Sequence, residues 1–292
     1  MKSLESDILL DRELEELQQE VLEILHPFLD RRSHQIKQPV EDFLFEYYSF
    51  SANKLMTYNP GFRRHMPVGW EPSDKLYRFH ESNNHWYLDA ADFPEKRIRM
   101  LRWTITLLES IENRPQALGC FGLHEWAMVY RSDQVRHEQL PLRLSPDEIA
   151  RTVDSQIIRC SHFDAFRFFT PMAVPLNTIQ PTYDQRMQLE QGGCIHANMD
   201  IYKWVYKLHP WLSSELLWKS FLLAREIRYF DMQASPYDLS SYGLEPVCIE
   251  TPEGRKEYTT RQKMFAEKAS KLRKESIHEM HSLLDFVTLE RS

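Results

Sequence analysis

The chain has 292 residues, 42% of them hydrophobic and 27% charged, which excludes a disordered chain and leaves enough apolar side chains for a substantial core. No apolar run approaches the ~20 residues that cross a bilayer, so no membrane partner is expected. The formal net charge of −7 speaks against a partner held by bulk electrostatics, though a local basic face stays open. The eight glycines include no Walker or dinucleotide fingerprint.

The first twenty residues are acidic and periodic and lack the basic, apolar and small-residue segments of a secretory signal. The expected location is therefore cytoplasmic, and the four cysteines are expected as free thiols or metal ligands rather than disulfides.

In chain order, Leu10, Leu14, Leu17, Val21, Leu25 and Leu29 recur at spacings of three and four and predict an amphipathic helix over 4–29. Pro39 opens a second helix through VEDFLFEYYSF, apolar or aromatic nearly all round and so expected to be buried. Residues 57–93 carry Pro60, Gly61, Pro67, Gly69 and Pro72 among His65, His80 and His85, and are expected to be irregular. Helix signals return with Asp92 and Pro94. Ser145-Pro146-Asp147-Glu148 spells a capping box, and Ser213 or Ser214 starts another helix. Thr251-Pro252-Glu253 begins the last helix, charged and about 35 residues long. The best strand candidates are 117–130 and 156–169. No internal repeat is visible. The expectation is a mainly α fold, one domain over 1–292 with about seven or eight helices and few short strands. Its parts are an N-terminal helix in 1–37, a core at 38–266 and a long charged C-terminal helix at 251–290.

Residues able to do chemistry gather between 119 and 200. Three stretches, GCFGLHEW, RCSHFDAFRFF and GCIHANMDIYKW, each run from a Cys to a His to a carboxylate. The members are Cys120, His124 and Glu125; Cys160, His162 and Asp164; and Cys194, His196 and Asp200. If 156–168 is extended, Cys160, His162 and Asp164 share a face; if 196–204 is helical, His196 and Asp200 stand one turn apart.

Three chemistries compete. A transition metal such as zinc or iron could take His124, His162 and His196 with a carboxylate or thiolate. A carboxylate among Glu125, Asp164 and Asp200 could act as general base on water. A Cys–His pair could supply a nucleophile, the weakest of the three because buried thiols usually pack. Arg131, Arg136, Arg143, Arg151 and Arg159 with His137 form a basic zone that suits phosphate or carboxylate, or simply a solvated face. Aromatic residues near 200, Trp204 among them, suit either a core or a base-stacking wall.

The stretches PVEDFLFEYYSF, GCFGLHEWAMVYR, CSHFDAFRFFTP, GCIHANMDIYKW, FDMQASPYDL and IETPEGRKEY resemble those of a bacterial family labelled 3-methyladenine DNA glycosylase, over roughly 38–266. That resemblance implies damaged DNA as partner and hydrolysis of the N-glycosidic bond of an alkylated purine flipped into a pocket. Asp164 or Asp200 would then activate water, Trp126, Phe163 and Trp204 would stack the base, and the three histidines would orient these groups. The rival expectation is a metal-dependent oxidase or hydrolase of a small molecule, with the histidines as ligands. A non-catalytic helical scaffold is the third, disfavoured because His and Asp suit a core poorly.

Overall fold

The structure, a computed structural model, describes residues 2–67, 70, 79–82, 85–133 and 139–289, with side chains from residue 15 onward. Gly69 and Pro72 of the expected irregular stretch, Arg136 and His137 of the basic zone, and the side chains of Leu10 and Leu14 lie outside the described residues. Among those described, eleven α-helices and one three-stranded sheet make the chain mainly α. No described helix is long and apolar enough to cross a membrane.

The chain groups into two compact units. The first comprises Met1–Ile105, Tyr202–Leu222 and Glu275–Ser292; the second comprises Thr106–Ile201 and Leu223–Lys274. Four long helices, α4 (Glu95–Asn113), α9 (Ile195–Leu208), α10 (Ser214–Gln233) and α11 (Pro252–Leu289), are each divided between them.

In the first unit, α1 (Lys2–Ser33) buries Val21, Leu25 and Phe28, a spacing of four and three that places them on one stripe. Phe28 stacks on Phe45 at 4.2 Å. The aromatic segment after Pro39 forms only a single helical turn, α2 (Phe43–Glu46), where a longer helix was expected. Local side chains intervene: Gln38 N donates to Asp42 Oδ2 at 2.8 Å, and Glu41 N donates to Gln38 Oε1 at 2.6 Å. Such bonds compete with helix propagation, and Ser49 at φ 54° then turns the chain away. A second short turn, α3 (Asn53–Met56), follows.

The strands are not where the alternation suggested. They lie within 57–93, the stretch expected to be irregular: β1 (Met66–Pro67), β2 (Phe79–Ser82) and β3 (His85–Leu88), antiparallel in the order β1-β3-β2. Met66 pairs with Trp86, and His80 with Tyr87. The stretches 117–130 and 156–169 instead contain the short helices α5 (Leu123–Ala127) and α7 (Phe163–Phe166), with one isolated bridge, Ile158 to Asn177. Alternation misled there because it is confined to 158–162 of the second stretch, where Ile158, Cys160 and His162 are buried and Arg159 is exposed, while residues 122–130 of the first are buried without alternation.

The second unit also holds α6 (Pro146–Asp154) and α8 (Arg186–Leu189). The expected capping box is formed: Glu148 N donates to Ser145 Oγ at 3.3 Å while Ser145 N donates to Glu148 Oε2 at 2.9 Å. At the start of α11, a Cβ on Gly254 would stand 2.0 Å from the carbonyl oxygen of Cys248, so glycine alone fits. Farther along α11, Tyr258 and Phe265 pack on Phe230 of α10, and the buried Arg273 donates to Glu112 Oε2 at 2.6 Å and also bonds Asn198.

Arg143 closes the chain around the C-terminal end of α10. Its backbone N donates to the Pro236 carbonyl at 2.9 Å and its Nη2 to Glu250 Oε2 at 2.7 Å, while its guanidinium lies over Trp126 at 5.3 Å. Burial works against the Glu250 carboxylate, but Arg143 outweighs it and holds the pKa below the ordinary glutamate value. A carboxyl whose folded pKa is depressed stabilises the fold above its unfolded value and loses that contribution as pH falls. Replacing Arg143 by Met should therefore cost about 1 kcal/mol at pH 7, allowing for solvent screening. Denaturant titrations should show that difference shrinking as pH drops below about 4; a difference that grows with acidity would contradict the ion-pair assignment.

Candidate functional site

Three loops and one helix of the second unit deliver the site. Phe121 and Gly122 take left-handed φ values of 45° and 70°, a tight reversal that starts α5 and turns His124 and Glu125 inward. A Cβ on Gly122 would press on the Tyr258 ring at 3.1 Å. The second loop is clamped by the buried Asn177, which accepts from Cys160 N at 2.8 Å and donates to Cys160 O at 2.9 Å. That fixes the backbone two residues before His162, which precedes the first residue of α7.

The third loop is held by Gln191. Its Oε1 accepts from Gly193 N at 2.6 Å and from Ala117 N at 3.0 Å, and Gln262 Nε2 donates to the Gly193 carbonyl at 2.7 Å. Helix α9 then begins, with His196 and Asp200 one turn apart. The fourth contribution comes from α10, whose Arg228 and Asp231 are buried.

The three histidines meet. The His124 and His196 rings are edge-on with centroids 4.3 Å apart, and His162 stacks on His196 at 5.4 Å. Asp231 sits against the first pair: its Oδ1 is 2.7 Å from His124 Nε2 and its Oδ2 is 3.6 Å from His196 Nε2. One ligand atom from each of His124, His196 and Asp231 lies within 4.8 Å of the other two. Arg228 Nη1 stands 3.4 Å from Asp231 Oδ2 and 3.3 Å from Glu125 Oε1.

On the other side, His162 Nε2 faces Asp200 Oδ2 at 3.5 Å and Glu190 Oε1 at 3.7 Å. Neither ring nitrogen of His162, 2% exposed, makes a hydrogen bond. Two donors held about 2.1 Å from one tetrahedral ion stand about 3.4 Å apart, close to the His196–Asp231 separation and too long for a hydrogen bond.

Protonation divides the pair. Burial disfavours a charged His124, but Asp231 and Glu125 outweigh it and raise its pKa. Burial, reinforced by His124 and His162, pushes His196 down to about 3, so its imidazole is neutral and its lone pair open. Burial also works against the Asp231 carboxylate, yet His124, His196 and Arg228 hold its pKa well below the ordinary value.

A cavity of about 690 Å³ reaches this cluster, with His124 and His196 in its wall. Cys120, Cys160 and Cys194 also line it, between Leu118, Ile179 and Leu189. Among the described residues, no Phe, Tyr or Trp does.

Of the residues singled out in the sequence, His124, Glu125, His162, His196 and Asp200 come together. Asp164 is set aside in an ion pair with Arg186, whose Nε lies 3.7 Å from Glu190 Oε1. The expected strand face shared by Cys160, His162 and Asp164 is replaced by the first turn of α7. Trp126 is fully buried and donates to the Ala234 carbonyl at 2.9 Å, and Phe163 packs against Tyr183 at 6.0 Å. Trp204 belongs to the other unit, edge-on to Trp103 at 5.3 Å. Arg131 pairs with Asp154 at 2.9 Å on the surface. His80 pairs with Asp92 at 2.7 Å, also in the other unit.

Sequence reasoning missed Asp231, Arg228 and Glu190. A signal existed for the first two: Arg228 and Asp231 fall four residues after Ala224 and Ile227, on the apolar face of α10 where charge is costly. No protein-family model, curated protein or solved structure matches this chain, and nothing there bears on the glycosylase resemblance.

All four cysteines are free. Burial pushes the Cys160 thiol up to about 12 and the Cys194 thiol well above its usual value, so neither is a ready nucleophile. In native protein at pH 8, Cys160 and Cys194 should resist iodoacetamide, whereas four thiols should react after unfolding. Rapid alkylation of Cys160 in the native state would restore the Cys–His nucleophile as a candidate.

Proposed function

We propose that this chain is a metal-dependent enzyme of a small molecule bound in the cavity, with His124, His196 and Asp231 as protein ligands to zinc or iron. The observation that carries this reading is the convergence of those three side chains within 4.8 Å at the wall of a cavity of about 690 Å³. Two imidazoles and a carboxylate are a donor set used by both metals, and three protein ligands leave coordination positions for water and substrate. A bound ion would supply Lewis acidity and lower the pKa of a coordinated water.

The remaining residues have defined tasks around it. Arg228 bridges Glu125 and Asp231 and so orients the ligating carboxylate. The buried Asp200 and Glu190 beside His162 can hold a proton taken from the reacting centre. N-glycosidic hydrolysis of damaged DNA, which the family resemblance implies, asks instead for a wall of large stacking rings, and the described cavity wall has no Phe, Tyr or Trp.

Elemental analysis of protein purified without chelator should find about one equivalent of zinc or iron. His196→Ala and Asp231→Asn should each lose it while keeping the helical circular dichroism of the wild type. Metal affinity should fall as pH is lowered, because bound imidazoles must be deprotonated. Metal in 100-fold excess over its Kd should add about 2.7 kcal/mol of stability, removed by chelator. Alkylated duplex DNA provides the opposing arm. Release of methylated purine by metal-free wild type, abolished in an Asp200→Asn variant that still binds DNA, would overturn the metal reading.

A further inference from the structure

We propose that the cavity takes an aliphatic carboxylate, an apolar chain whose anionic head is bound by Arg159 at the solvent end and whose tail points toward His124 and His196. This rests on reading the cavity as the substrate site, though not on which metal, if any, occupies the histidine cluster.

The cavity has two unlike ends. Arg159 is an exposed residue of its lining, whereas His124 and His196 are 4% and 9% exposed. The second arginine of the lining, Arg114, is already engaged: its Nη2 donates to the Met187 carbonyl at 2.6 Å, and its Nη1 bonds the Glu190 carbonyl. Arg159 carries no such structural duty among the described contacts. A guanidinium at an open rim, with the Ser161 hydroxyl in the same wall, suits an anion with two oxygens.

Between the ends the wall is aliphatic. Leu118, Ile179, Leu189 and Ile195 line it together with the buried Cys160 and Cys194, and a buried free cysteine packs as a small hydrophobe. The chain is 12% aromatic, yet none of its described Phe, Tyr and Trp rings lines this space. A planar base would find no described Phe, Tyr or Trp to stack on here, whereas a flexible hydrocarbon chain needs only apolar surface. The volume lies in the ordinary range for small-ligand pockets.

Calorimetry with decanoate, decanol and 3-methyladenine, on metal-free and on zinc-loaded protein, tests the assignment. Decanoate should bind at least about tenfold more tightly than decanol in both forms, with 3-methyladenine weaker than either. Arg159→Gln should abolish the preference for decanoate over decanol while leaving decanol affinity unchanged, which also reports an intact cavity. A carboxylate preference that appears only with zinc and survives Arg159→Gln would place the head group at the histidines and overturn the proposal. Tighter binding of 3-methyladenine than of decanoate would overturn it as well. Loss of the metal reading is separable, since the metal-free arm stands without it.

Discussion

The second unit depends on one buried carboxylate. Asp231 is wholly shielded from water, and an isolated ionised carboxyl there would be prohibitively costly. It is retained because His124, His196 and Arg228 surround it. Each neighbour reaches it from a different segment, so the carboxylate acts as the knot where α5, α9 and α10 are tied. The same low dielectric that makes it costly strengthens its attractions, and removal of any one partner would leave charge without compensation.

This constraint explains why the surrounding loops are specified so closely by amides. Asn177, Gln191 and Gln262 each use their side chains to fix backbone groups of the loops that carry His162 and His196. An amide offers both donor and acceptor without charge, so it can lock a loop without disturbing the field at Asp231. At Gly193 a Cβ would lie 2.6 Å from the Ala117 carbonyl, so the close approach of the two loops depends on glycine. The site is thus preorganised by uncharged contacts and tuned by charged ones.

Much of the helical frame was legible in the residues. Caps at Ser145 and Ser213, and the apolar stripe of α1, announce themselves by local chemistry that the fold preserves. The Cys–His–carboxylate stretches also pointed to a common place, since their histidines do converge. What stayed hidden is non-local. Asp231 lies 107 residues from His124 in sequence, and nothing in its own neighbourhood names its partner. The short strands at 66–88 were equally obscure, because two to four residues cannot display a period. The aromatic residues misled for a related reason: Trp126 and Trp204 were read as a wall, and burial in a core uses the same rings.

Charge balance around the cluster gives the metal reading its physical weight. Four acidic side chains, Glu125, Glu190, Asp200 and Asp231, are each no more than 5% exposed and lie beside the histidines, with the buried guanidiniums of Arg186 and Arg228 among them. Arg186 is also shared with Asp164. Asp231 and Glu125 raise the His124 pKa, whereas burial holds His196 neutral. Buried acidic groups are costly unless they are paired or coordinated, and a divalent cation held by two imidazoles and Asp231 would add such coordination. The neutral His196 then has a purpose. Protonated, it would lose its capacity to bind metal; neutral, it keeps the lone pair that a metal ion takes.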